Sequence, residues 1–222
     1  MKWAACRGAL HGCWCASCIR PPTIQPILGT GLHFHLGSVI STGAAVIVID
    51  MINDFVSGAY GGPRAEAMVP RVSGLLNMAR DAGIPVIYVT DAHGVDDAEF
   101  RVWRPHAVAG TWGAEVVEAL RPVRGDHHLT KKRYSCFYST RLNGLLRGLG
   151  VDALILTGLV TNICVQHTAA DAFFRGYKVV VPCDCVEAVS DQLQEQALAY
   201  MREMHGAEIT TSSEIIRKGF RV

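Results

Sequence analysis

From Ala44 onward, hydrophobic and polar positions fall into two alternating patterns. Ala45-Val46-Ile47-Val48-Ile49 is an unbroken apolar run, as expected of a parallel strand buried on both faces. Strand-length runs recur at 85–89, closing at Thr90-Asp91, at 154–156 and at 178–183. Two weaker ones lie at 127–130, ending at Lys131, and at 207–211. Between the runs the spacing turns helical. Residues 64–82 place Met68, Val72, Leu75, Leu76 and Ala79 on one face and stop at Gly83. Helices are likewise predicted over 114–120, 140–149, 162–175 and 191–205. Strands alternating with helices predict an α/β fold: a doubly wound, mainly parallel six-stranded sheet with helices on both faces.

In such sheets, ligands bind in the crevice outside the carboxyl ends of the strands. Asp50, Asp91, Lys131, Cys164 and Asp184 each follow a different predicted strand. Cys164 lies where an apolar run stops at Gly158, a polar turn follows and a helix begins. The free N–H groups and dipole of a helix start favour thiolate over thiol there. A cysteine nucleophile also needs a base, a cation and donors for an oxyanion. Asp50 can be the base if burial raises its pKa. Lys131 can be the cation, although Lys132 and Arg133 leave open which basic side chain points inward. Backbone N–H groups of Val160 and Cys164 can serve the oxyanion. This set describes acyl transfer from an amide through a thioester.

Other polar residues read as structural. Asp54 and Asp184 are expected to be caps, His167 a packed or surface histidine, and Cys136, Cys183 and Cys185 packing residues. In the loop between Asp91 and Trp112, Asp91-x-His93 with His106 offers one carboxylate and two imidazoles. That suits one divalent metal with positions left open, and equally a binding lid without metal. Trp103 and Trp112 flank His106 and are expected to form an apolar wall.

Composition narrows the classes. With 222 residues, half of them hydrophobic, the chain can bury one large core. A net charge of +1 offers no basic field for nucleic acid. No apolar run approaches the roughly 20 residues that span a bilayer. The cysteines of the main region suit a reducing cytoplasm. Residues 1–42 differ in character, holding Cys6, Cys13, Cys15 and Cys18 and a Pro-Pro pair. They are expected to be a loosely attached or disordered extension of a hydrolase domain at 43–222.

Four motifs carry a resemblance. They are Val48-Ile49-Asp50-Met51-Ile52-Asn53-Asp54-Phe55, Lys131-Lys132-Arg133-Tyr134-Ser135-Cys136-Phe137, Gly158-Leu159-Val160-Thr161-Asn162-Ile163-Cys164-Val165 and Asp171-Ala172-Phe173-Phe174-Arg175-Gly176-Tyr177. With them the chain resembles the isochorismatase-like cysteine hydrolases, the group of nicotinamidases, N-carbamoylsarcosine amidases and ureidoacrylate amidohydrolases. The resemblance implies a triad of Asp50, Lys131 and Cys164, a cis peptide between Leu159 and Val160, and an oxyanion hole at Val160 and Cys164. It also implies substrate contacts from Phe55, Trp103, Tyr134 and Phe137, and zinc or iron on Asp91, His93 and His106. A small-molecule amide or carbamoyl substrate and a homo-oligomer are expected; a ureide amidase without metal and a non-catalytic binding homologue are the alternatives. The sequence departs from the nicotinamidase pattern at Asp91-Ala92-His93-Gly94, at Ile52, and in having no histidine between His93 and His106.

Overall fold

A computed structural model describes residues 43–222; the expected extension at 1–42, with its four cysteines, lies outside the described residues. The sheet has seven strands rather than the expected six; six lie in the order β3-β2-β1-β4-β5-β7, and every strand pair is parallel. They are β1 (Gly43–Ile49), β2 (Val86–Asp91), β3 (His127–Lys131), β4 (Val151–Leu159), β5 (Lys178–Pro182) and β7 (Glu208–Thr210). A two-residue strand that the pattern did not predict, β6 (Val186–Glu187), pairs with the end of β4.

The unbroken apolar runs are explained by a sheet covered on both faces. Successive side chains of a strand point to opposite faces, and β1 divides accordingly. Ala44, Val46 and Val48 pack with Val72, Leu75 and Leu76 of α2 (Pro63–Asp81) and with Ile215 of α6 (Ser212–Arg217). Ala45, Ile47 and Ile49 face the other way. They pack with Leu142 and Leu146 of α3 (Leu142–Gly148), Ala169 and Ala172 of α4 (Gln166–Phe174), and Met201 of α5 (Asp191–His205). α2 starts with Pro63 at its first position, where a missing N–H costs nothing. α5 is capped by Ser190, which accepts from the Leu193 N–H, and ends at Gly206 with φ 62°. Asp184 accepts from the N–H and hydroxyl of Ser212, the first residue of α6, whose N-cap is Thr211.

One predicted helix does not form. In place of a helix over 114–120 there are two short 3-10 turns, Trp112–Ala114 and Glu118–Leu120. The backbone between them pairs elsewhere: Asn53 N–H donates to the Glu115 carbonyl and Val117 N–H to that of Met51. Groups committed to the strand-end segment after β1 cannot close helical bonds. The turn after β4 also differs from a plain helix start, with a π-type turn over Thr161–Val165 before α4. A four-residue helix, α1 (Asn53–Val56), follows β1.

Candidate active site

The parallel register brings three strand ends together. Asp91 pairs with Lys131 at the ends of β2 and β3, and Asp50 follows β1 at φ 52°. Beside it on β4, Gly158 lies at φ 110°, where a Cβ would sit 1.9 Å from the Ile49 carbonyl oxygen. Only glycine lets β4 run this close to β1 at that conformation. Asp50 Oδ1 accepts from the Asp91 N–H at 2.8 Å. Lys131 Nζ donates to Asp91 Oδ1 at 2.6 Å and lies 2.7 Å from Asp50 Oδ2, an ion-pair contact without hydrogen-bond alignment. It is 3.6 Å from Cys164 Sγ. All four residues are buried. Lys132 is exposed, and Arg133 turns to Asp97 at 2.9 Å. Lys131 is therefore the inward basic side chain.

Burial sets the protonation states. It raises the Asp50 carboxyl to about 7, helped by the Asp91 charge and opposed by Lys131. It pushes the Cys164 thiol well above its ordinary range, more strongly than Lys131 pulls it down. The helix-start argument for a thiolate is thus opposed by burial, because losing the water around the sulfur raises the thiol pKa more than the Lys131 ammonium lowers it. Lys131 is itself disfavoured by burial as a cation, but Asp50, Cys164 and Asp91 together hold its pKa well above the usual value. The peptide between Leu159 and Val160 is cis.

A cleft of about 550 Å³, counting its open mouth, stands over Cys164. Phe55, Trp103 and Tyr134 line it, together with Val160 and Cys164. Trp103 Nε1–H donates to the Tyr134 hydroxyl at 2.9 Å. One expected substrate contact, Phe137, and one expected wall residue, Trp112, lie elsewhere. Phe137 is buried in the core, stacked on Tyr177 with ring centroids 5.9 Å apart, and is not among the lining residues. Trp112 is 59% exposed to solvent. Tyr60, Glu99, Ile163 and Val189 line the cleft without having been singled out. Ile163 was recoverable, because it adjoins Cys164; nothing in the local pattern marks the other three.

Donor atoms of Asp91, His93 and His106 lie within 4.8 Å of one another, all buried. Glu99 Oε1 is 3.9 Å from Nε2 of both histidines, placing a fourth donor group, and a second carboxylate, beside the cluster where the sequence reading had none. His93 is fully buried, and neither of its ring nitrogens has a hydrogen-bond partner. Asp97 Oδ2 lies 3.3 Å from Nδ1, which leaves Nε2 aimed at the cluster. A buried, unpaired imidazole nitrogen is costly, and a cation at this mixed nitrogen and oxygen set would satisfy it. The residues therefore fit a divalent metal. Asp54 is structural: it accepts from the Ala107 N–H at 2.8 Å and pins the loop that carries His106. His167 is exposed, its Nδ1 lying 2.7 Å from the Ile163 carbonyl oxygen and its ring centroid 5.3 Å from that of Tyr134.

Residues 44–214 match the family model described as the isochorismatase domain, more than half of the chain. The chain belongs to the isochorismatase family. Among curated relatives, the uncharacterized isochorismatase family protein YaaI of Bacillus subtilis is 36% identical over 78% of this chain and 97% of its own. A ureidoacrylate amidohydrolase, RutB, of Caulobacter segnis is 29% identical over 77% of this chain and 83% of its own. Among solved structures, N-carbamoylsarcosine amidase from Thermoplasma acidophilum superposes with a TM-score of 0.73 at 39% identity, over 78% of this chain and 98% of that one. A pyrazinamidase of Pyrococcus horikoshii, solved in complex with zinc, gives 0.71 at 30% identity, over 76% and 98%. The doubly wound architecture of this isochorismatase-family chain is thus shared along nearly the whole length of these solved relatives.

Proposed function

We propose that this isochorismatase-family protein is a cysteine amidohydrolase that cleaves the C–N bond of a small carboxamide or carbamoyl compound. The observation that carries the reading is Lys131, held between Asp50 and Asp91 and 3.6 Å from Cys164 Sγ under an aromatic cleft. The names of the amidase and amidohydrolase relatives support the reaction class.

In this mechanism Asp50 takes the thiol proton as Sγ attacks the substrate carbonyl carbon. A carboxylate raised to about 7 is matched to that task near neutral pH. N–H groups of Val160 and Cys164 receive the oxyanion. Asp50 returns its proton to the departing nitrogen, and ammonia or an amine leaves a thioester on Cys164. Asp50 then takes a proton from water as it attacks the thioester, and the thiol is restored as the acid departs. Lys131 stays charged throughout, offsetting Asp50 and the transient thiolate.

Asp91, His93, Glu99 and His106 are the residues that would hold a zinc or iron ion. When bound, such an ion supplies a Lewis-acid contact for a substrate or water donor atom. A carbamoyl or ureido substrate is favoured by the relatives that act on such compounds, and an aromatic carboxamide by the walls of Phe55, Tyr60, Trp103 and Tyr134. Ammonia release measured across nicotinamide, N-carbamoyl amino acids and ureidoacrylate separates the two. The reading fails if no amide in such a panel is turned over, or if Cys164→Ala retains wild-type turnover.

A further inference from the structure

Two of the sequence motifs, 131–137 and 171–177, have most of their residues outside the cleft. Their contacts with each other are dense. Ser135 Oγ–H donates to Asp171 Oδ2 at 2.5 Å, and the Phe137 N–H donates back to Ser135 Oγ at 3.2 Å. Cys136 N–H donates to Thr168 Oγ1 at 3.0 Å. The Phe137 ring stacks on Tyr177, and the Arg175 guanidinium lies 4.8 Å from the same ring centroid. Arg175 also pairs with Asp171. Tyr177 Oη–H donates to Asn143 Oδ1 at 3.0 Å, fixing the far side of the stack.

These contacts answer a geometric problem. Lys131 ends the edge strand β3, whereas Cys164 follows β4, three strands further along the sheet. Neighbouring strands are about 4.8 Å apart, so the two strand axes are separated by roughly 14 Å. The sheet alone does not set a 3.6 Å approach of Nζ to Sγ. The segment after Lys131 must also be held to the element that carries the cysteine. Thr168 and Asp171 do this from α4, four and seven residues after Cys164, a spacing that shares one helix face.

We propose that the two motifs form a lock, centred on the Ser135–Asp171 hydrogen bond and the Phe137–Tyr177 stack, that positions Lys131 against Cys164. Ser135 and Asp171 are positioning residues; they touch neither the cleft nor the reacting atoms. The inference rests on the proposed role of Lys131 beside the nucleophile.

The test uses the full chain with Ser135→Ala, Asp171→Ala and the double variant. Three readouts are needed: kcat and KM for a turned-over amide, the rate of Cys164 alkylation by iodoacetamide followed by mass spectrometry, and Tm. A displacement of about 1 Å at a catalytic group costs up to roughly 100-fold. Each single variant is therefore expected to lower kcat and the alkylation rate by roughly 10–100-fold, with KM within about twofold. The double variant is expected to be no slower than the slower single, because both remove one interaction. Ser135→Thr, which keeps the hydroxyl, is expected to restore both rates. Wild-type kcat and alkylation in both alanine variants would overturn the lock. So would Ser135→Thr that folds with wild-type Tm yet stays as slow as Ser135→Ala. Should Asp171→Ala not fold, Thr168→Val reads the same lock through Cys136, and a wild-type alkylation rate there overturns it. Alkylation needs no turnover. A chain that hydrolyses no amide but shows these rate changes fails the proposed function and keeps the lock.

Discussion

Asp50 shows how much a residue's chemistry depends on where the fold buries it. In water its carboxyl would be a weak base; buried beside Asp91 it rises to about 7. It accepts a proton only as carboxylate, so the fraction of active enzyme falls tenfold per unit below that pKa. The kcat/KM profile is expected to climb up to about pH 7 and then level; a flat profile from pH 5 to 8 would remove Asp50 as the base. Cys164→Ala is expected to lower kcat by at least about 10³-fold in the ammonia assay. At the loop cluster, His93→Ala should lose the metal, measured by metal analysis of protein purified without added metal. Glu99→Ala should weaken zinc binding in a chelator competition by about tenfold or more. Equal metal content in wild type and His93→Ala would remove the ligand assignment. The lysine and the two histidines could be listed from the sequence. Glu99 could not, because a glutamate eight residues from Asp91 joins the site only once the loop folds over it.

At the level of elements, periodicity carried most of what was needed. The continuous runs at β1, β2 and β5 and the five-residue stripe on α2 are direct consequences of a sheet covered on both faces. Periodicity failed at 114–120, where backbone groups pair with residues 51–53 instead of with one another. The resemblance, not periodicity, placed Phe137 with the substrate, since an aromatic next to a catalytic motif looks the same whether it lines a cleft or fills a core. The close contact of β1 with β4 gives a sharp expectation. Gly158→Ala puts a methyl group onto the Ile49 carbonyl at a backbone conformation that alanine resists. A loss of about 3 kcal/mol is expected, lowering Tm by roughly 6–12 °C. An unchanged Tm in calorimetry would show that the strands can part there at little cost.

For the whole molecule, the family match covers 44–214, and the solved N-carbamoylsarcosine amidase aligns over 98% of its own length within 78% of this chain. A chain beginning at Ser41 is therefore expected to keep its Tm and its ammonia release. A marked loss of either would make residues 1–40 part of the working protein. By itself, the sequence determined the α/β class, the strand ends that carry chemistry, and the candidate nucleophile, base and cation. These follow from local spacing, since buried strands and helix faces write their period directly into the chain. Only the tertiary structure decided that Glu99 stands beside the histidines and that burial outweighs Lys131 in setting the pKa of the Cys164 thiol. Each of those depends on burial and on distances between residues far apart in sequence. The turn at Cys164 shows the division: its position was legible from an apolar run and a glycine, its protonation only from the packing around it.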